Sequence, residues 1–170
     1  MTDAVLYGLA ERAGRALAQR GWMMATAESC TGGWIAEAVT MVPGSSAWFD
    51  RGFVTYTYAS KREMLGVSQA TLDRHGAVSS VVVEEMTAGA LKASDAQIAV
   101  AVSGTAGPAG GTADKPVGTV CLAWGVRNQA MRSESVHFEG DREAVRRQSV
   151  IRALTVLCEI VESAAAEGTG

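Results

Sequence analysis

Twice in this chain a short apolar run breaks abruptly into a glycine-bearing loop that carries reactive side chains. The first loop, T-A-E-S-C-T-G-G-W, runs from Thr26 to Trp34, and the second, V-S-G-T-A-G-P-A-G-G-T-A-D-K-P-V-G-T-V, from Val102 to Val120. Glycine lets the backbone take positive φ and lets a ligand come close to bare N–H groups. The runs that precede the loops, Trp22–Ala27 and Gln97–Val102, read as buried strands. The second is apolar on both faces from Ile98 onward, as a central strand is. Two such loops at strand ends make a pocket for an anionic ligand.

The rest of the pattern completes an α/β chain. Val5, Leu6, Leu9, Ala13 and Leu17 repeat at helical spacing over Asp3–Gln19, with Gly21 as a stop. A helix is expected over Gly32–Met41, a strand over Gly52–Thr57, and short helices over Ser60–Leu65 and Gln69–His75. Ser79 caps a longer helix to about Ala93. Gly118–Val126 and Met131–Phe138 read as an antiparallel hairpin, and Asp141–Ser163 as a long last helix followed by a fraying tail from Ala164 to Gly170. About five strands with helices between the first three imply a three-layer α/β/α sandwich with a mixed sheet. The length, 170 residues with no linker or repeat, suits one domain over 1–170.

Composition narrows the partners. The net charge of -3 argues against bulk nucleic-acid binding, which needs a basic face. No stretch approaches the ~20 apolar residues of a membrane span. The N-terminus does not read as a signal peptide, and three cysteines without metal spacing read as reduced thiols of a cytoplasmic protein. With only His75 and His137, a zinc site lacks ligands, so neither metal nor cofactor is expected. Self-association is left open.

Ser29 sits where the first strand gives way to a helix. Its hydroxyl is exposed there to the N–H groups of the following turn, which can stabilise an oxyanion or a phosphate. The layout is similar to a nucleophile elbow, although the G-x-S-x-G spelling is absent. Serine is also a common helix N-cap, and that role would explain it without chemistry. As a nucleophile it needs a base. Neither histidine has a catalytic setting, which leaves lysine, a residue whose pKa moves readily on burial. Lys61 follows the strand Gly52–Thr57, whose end can lie beside that of the first strand. Cys30 is a competing nucleophile, and Glu28 can orient Lys61 or a loop amide.

The second loop, Ser103–Gly118, holds five glycines and two prolines. It lacks the G-K-[ST] ending of a Walker loop, since Pro116 follows Lys115. Either it simply reverses the chain, or Ser103, Gly104 and Thr105 line a substrate site. Arg142 and Arg146, four apart at the start of the last helix, suit a phosphate or a solvated helix face.

Together these residues are similar to a known family. T-A-E-S-C-T-G-G, P-G-S-S-A-W-F from Pro43, G-F-V-T-Y-T-Y-A-S-K from Gly52, H-G-A-V-S from His75, the second loop and G-D-R-E-A-V-R-R-Q from Gly140 occur in order over nearly the whole chain. The chain resembles the nicotinamide-nucleotide amidohydrolases, the C-terminal domain family of competence/damage-inducible (CinA) proteins, in stand-alone form. The resemblance implies hydrolysis of the carboxamide of nicotinamide mononucleotide, a small-molecule nucleotide substrate, by a Ser/Lys mechanism. Carried over, Ser29 is the nucleophile, Lys61 its base, and Tyr56 holds the pair. Thr31, Gly32, Gly33, Thr105, Arg142 and Arg146 bind or orient the substrate, and Gly44, Ser45 and Ser46 shape the pocket. Where the family often has Y-S-N-E-A-K, this chain has Tyr58 in the asparagine position, so Tyr56 and Tyr58 both become candidates for the dyad's neighbour. A non-catalytic nucleotide-phosphate-binding module is the rival expectation, since it would use the same loops and arginines.

Overall fold

The structure is a computed structural model and describes residues 2–167. Each helix begins where a side chain can satisfy free amides. Asp3 accepts from the Val5 and Leu6 N–H groups and opens α1 (Ala4–Arg20), which Gly21 closes in the left-handed conformation. β1 (Met24–Glu28) leads through the first loop into α2 (Trp34–Thr40), and a 3-10 turn, Ser45–Ala47, leads into β2 (Phe49–Val54). Thr57 and Ser60 form a reciprocal capping box at the start of α3 (Tyr58–Leu65). Ser68 caps α4 (Gln69–His75) and Ser79 caps α5 (Ser80–Lys92). β3 (Ile98–Gly104), β4 (Thr119–Val126), β5 (Arg132–His137) and α6 (Arg142–Glu167) complete the chain.

The five strands form one sheet in the order β2-β1-β3-β4-β5. β2, β1 and β3 are parallel, while β4 and β5 are added antiparallel as a hairpin. The mixed sheet and helix-covered faces match the α/β expectation. Met24, Val100, Val102, Leu122 and Trp124 face a core shared with α1, α2 and α6. Ala25, Ala27, Ala99, Ala101, Cys121 and Ala123 face α3, α4 and α5. Alanine dominates that second face, so those helices lie close. At Gly89 of α5 an added Cβ would stand 1.9 Å from the Leu65 carbonyl oxygen.

Two elements, β2 and α6, differ most from the sequence reading. β2 starts at Phe49, three residues before the apolar run expected to form it. As an edge strand it tolerates the polar Asp50-Arg51 pair, and its pairing with β1 shifts register between Met24↔Phe49 and Ala25↔Arg51 before running on to Glu28↔Val54. Thr55 then leaves the ladder. α6 runs to Glu167, past the Ser163 end expected for it, because Ala164, Ala165 and Ala166 favour helix. The last residues of the expected fraying tail, 168–170, lie outside the described residues.

Candidate active site

The parallel strands β1, β2 and β3 end together, and the chemistry gathers at those ends. Ser29 directly follows β1, and its N–H donates to the Val102 carbonyl at 3.0 Å. Its hydroxyl meets Lys61, which the capping box places in the first turns of α3. Lys61 Nζ lies 3.0 Å from Ser29 Oγ and 2.7 Å from the Thr55 carbonyl oxygen. Thr55 is fixed in turn, since its N–H donates to the Glu28 carbonyl at 2.8 Å. Lys61 is only 1% exposed, and burial pushes its amine down from 10.5 to about 8. A neutral amine so held donates to Thr55 and turns its lone pair to the serine O–H, the arrangement a general base needs.

The loop after Ser29 is tied from both sides. Glu28 is fully buried; its carboxylate accepts from Thr31 Oγ1 at 2.7 Å and from the N–H groups of Ile35 (2.8 Å) and Ala36 (3.0 Å). Of the two roles expected for Glu28, it therefore takes the one on backbone amides, at the N-terminus of α2. The residue at the N-cap of α2 is Gly33, not Ser29. Gly33 has φ 97°, a value closed to residues with a Cβ. From the other side Arg146 of α6 reaches over the ring of Trp34, with Nε donating to the Cys30 carbonyl and Nη2 to the Thr31 carbonyl, each at 3.0 Å.

Those bonds leave some amides free. The N–H groups of Ser29 and Gly32 are spent on Val102 and Ser29 carbonyls, and that of Thr105 on the Thr119 carbonyl. The N–H groups of Cys30, Thr31 and Gly33 have no protein partner among the described residues. They are the amides of the loop after Ser29 that remain available as donors. Cys30 itself is buried, and burial pushes its thiol up to about 11, so it stays protonated at neutral pH.

The remaining expected residues divide into three groups. Ser103 and Gly104 end β3 beside the first loop and Thr105 follows them, with Ser103 buried. Tyr56 is exposed, and its hydroxyl accepts from Arg142 Nη2 at 2.9 Å, while Arg142 Nη1 donates to the Gly107 carbonyl at 2.9 Å. Tyr58 lines a different recess. Neither tyrosine hydroxyl is hydrogen-bonded to Ser29 or Lys61. Gly44, Ser45 and Ser46 are not brought to the site at all. β2 runs parallel to β1, so the turn before β2 lies where β1 begins, with the Trp48 carbonyl accepting from the Met24 N–H. Gly44 there borders a recess with Glu11 and Arg15 of α1.

Two hollows flank the second loop. One, of about 740 Å³, is bordered by Thr31, Gly32, Trp34, Gly107, Arg142 and Arg146. The other, of about 390 Å³, is bordered by Tyr58, His75, Thr105, Thr112 and Lys115, whose Nζ donates to the His75 carbonyl at 2.9 Å. Sequence reasoning missed the Thr55 carbonyl, because a backbone acceptor leaves no trace in residue type. It also missed that Arg146 spends two of its nitrogens on the first loop.

A family model described as the CinA C-terminal domain matches residues 6–161. A protein of Enterobacter agglomerans named nicotinamide-nucleotide amidohydrolase PncC is 51% identical over 164 residues, which is 96% of this chain and 100% of that protein. The protein of the same name from Pseudomonas putida is 57% identical over 152 residues, covering 89% and 94%. The crystal structure of the competence/damage-inducible protein CihA from Agrobacterium tumefaciens superposes with a TM-score of 0.90 at 46% identity, over 92% of this chain and 96% of that one.

Proposed function

The chain belongs to the CinA C-terminal domain family, and we propose that Ser29 and Lys61 make it an amidohydrolase that converts nicotinamide mononucleotide to nicotinate mononucleotide and ammonia. The observation that carries this reading is the buried 3.0 Å contact between Lys61 Nζ and Ser29 Oγ. The name shared by its full-length relatives supports the substrate. A module that merely bound a nucleotide would have no use for a lysine buried at the cost of its charge.

Lys61 takes the Ser29 proton as Oγ attacks the carboxamide carbon. The amides of Cys30, Thr31 and Gly33 receive the oxyanion. The C–N bond then breaks, Lys61 returns the proton to the nitrogen, and ammonia leaves. Water, activated by the same lysine, hydrolyses the nicotinoyl ester on Ser29. The hollow bordered by Arg142 and the second loop is the place for the ribose phosphate, which suits the guanidinium of Arg142 and the bare amides of glycine turns.

The test is ammonia release from nicotinamide mononucleotide by the wild type and by Ser29→Ala. The wild type should turn over. The variant should stay folded and lose activity by at least ~10⁴-fold, as other hydrolases do when the nucleophile is removed. Substrate binding without ammonia release by the wild type would instead identify a binding module.

A further inference from the structure

The sheet face that meets Lys61 carries a hydroxyl that no step above uses. Ser103 is the penultimate residue of β3. In that strand Ile98, Val100 and Val102 face α1, α2 and α6, whereas Ala99 and Ala101 face α3, α4 and α5. Strand alternation therefore sends the Ser103 side chain to the α3 face, the face of Lys61. Its cross-strand partner, Cys121, lies on that face as well. The register sets Ser103 beside the nucleophile, because Glu28 pairs with Val102 and the Ser29 N–H binds the Val102 carbonyl.

Ser103 is 1% exposed, and its Oγ has no hydrogen-bond partner among the described residues. An unpaired buried hydroxyl costs stability that alanine at the same place would not. Such a group calls for a ligand that completes it. Two other buried hydroxyls share this state. Thr26 lies on the opposite face against Gly52, and Thr55 already serves Lys61 through its carbonyl.

We propose that Ser103 Oγ receives the carboxamide nitrogen of the substrate, accepting an N–H from the bound amide and keeping that bond as the nitrogen departs. The assignment rests on the amidase reading above. The bond changes stay with the dyad: the Ser29 Oγ–C bond forms, the C–N bond breaks, and the proton taken from Ser29 passes from Lys61 to the nitrogen. Ser103 exchanges no proton. It selects the leaving group, because a carboxamide presents N–H donors and the alkoxy oxygen of an ester presents none.

The experiment compares wild type, Ser103→Ala and Ser103→Thr on nicotinamide mononucleotide and on the methyl ester of nicotinate mononucleotide, with Tm measured alongside. Ser103→Ala should lose roughly tenfold or more in kcat/KM on the amide, the effect of one hydrogen bond. It should keep the ester rate and keep or raise Tm. Ser103→Thr, which retains the hydroxyl, should recover much of the amide rate. An equal loss on both substrates, an unchanged amide rate, or a Tm that falls with activity overturns the assignment. A wild type that releases no ammonia overturns the amidase reading instead, so the two failures are told apart.

Discussion

The two glycine loops look alike in sequence and behave differently in the fold. The first is held on every side: by the buried Glu28 carboxylate from within, by Arg146 from α6, and by the Val102 carbonyl from β3. The second is exposed along most of its length from Pro108 to Pro116, and it is tied outward through single bonds such as Arg142 to Gly107 and Lys115 to His75. Catalysis needs donors and a nucleophile fixed to a fraction of an ångström, whereas an exposed loop with few outward ties keeps more freedom. The same residue type serves both ends, because glycine permits a strained turn that its surroundings lock and also a loose turn that they do not.

The largest effect expected from breaking the rigid side is at Lys61. Lys61→Arg should be as inactive as Lys61→Met, since arginine keeps a cation that cannot give up its proton. If Lys61→Arg kept most of the rate, lysine would be a simple cation and not the base. The pH profile sharpens this. With the amine lowered to about 8, kcat/KM of the wild type should fall about tenfold per pH unit below that value and level off above it. The stability follows the same proton. Between about 8 and 10.5 the unfolded chain holds a proton on Lys61 that the native state has released, so stability rises with pH across that window and is lost as pH falls through about 8. Lys61→Met should thus raise Tm at pH 7 while abolishing turnover, and urea melts at pH 7 and 10 would check it.

The next effect falls on the clamp of the first loop. Arg146→Ala frees the carbonyls of Cys30 and Thr31, and with the first of them the peptide plane that carries the free Thr31 amide. It should lower kcat by roughly one to two orders of magnitude, less than the loss of an oxyanion donor itself. The drop should be equal for nicotinamide mononucleotide and for its dephosphorylated riboside. A loss confined to the mononucleotide would put Arg146 on the phosphate and dissolve the contrast between the two loops.

The smallest effect belongs to the looser loop. Arg142→Ala should raise KM for the mononucleotide by about 1.5–3 kcal/mol of binding, with kcat nearly unchanged and the riboside little affected. A fall in kcat on both substrates would mean that the Arg142 bonds to Gly107 and Tyr56 support the chemistry rather than hold the phosphate.

How much of this was legible in the sequence follows from what kind of group does each job. The mixed sheet could be read because periodicity, caps and glycine stops record local geometry. The helix near Gln69–His75 is where it is expected, and in the fold Ser68 and Gly76 stand at its ends. β2 was displaced because an edge strand with Asp50 and Arg51 does not look apolar. Ser29 and Lys61 could be named because side-chain chemistry is written in residue type. The Thr55 carbonyl and the free loop amides could not, since every residue has them and only the fold selects among them. Gly44, Ser45 and Ser46 misled for the opposite reason. They look like a binding loop, but the strand direction that carries them to the far end is a property of the sheet.

The clamp on the nucleophile's loop also orders events in time. Ser29 and Lys61 are 32 residues apart in sequence. Arg146 stands 116 residues beyond Cys30, on the last helix. During synthesis Ser29 and Lys61 are therefore made long before the residue that clamps the loop beside them. On the proposed reading, full turnover becomes a mark of completion, expected only of a chain whose final helix has docked.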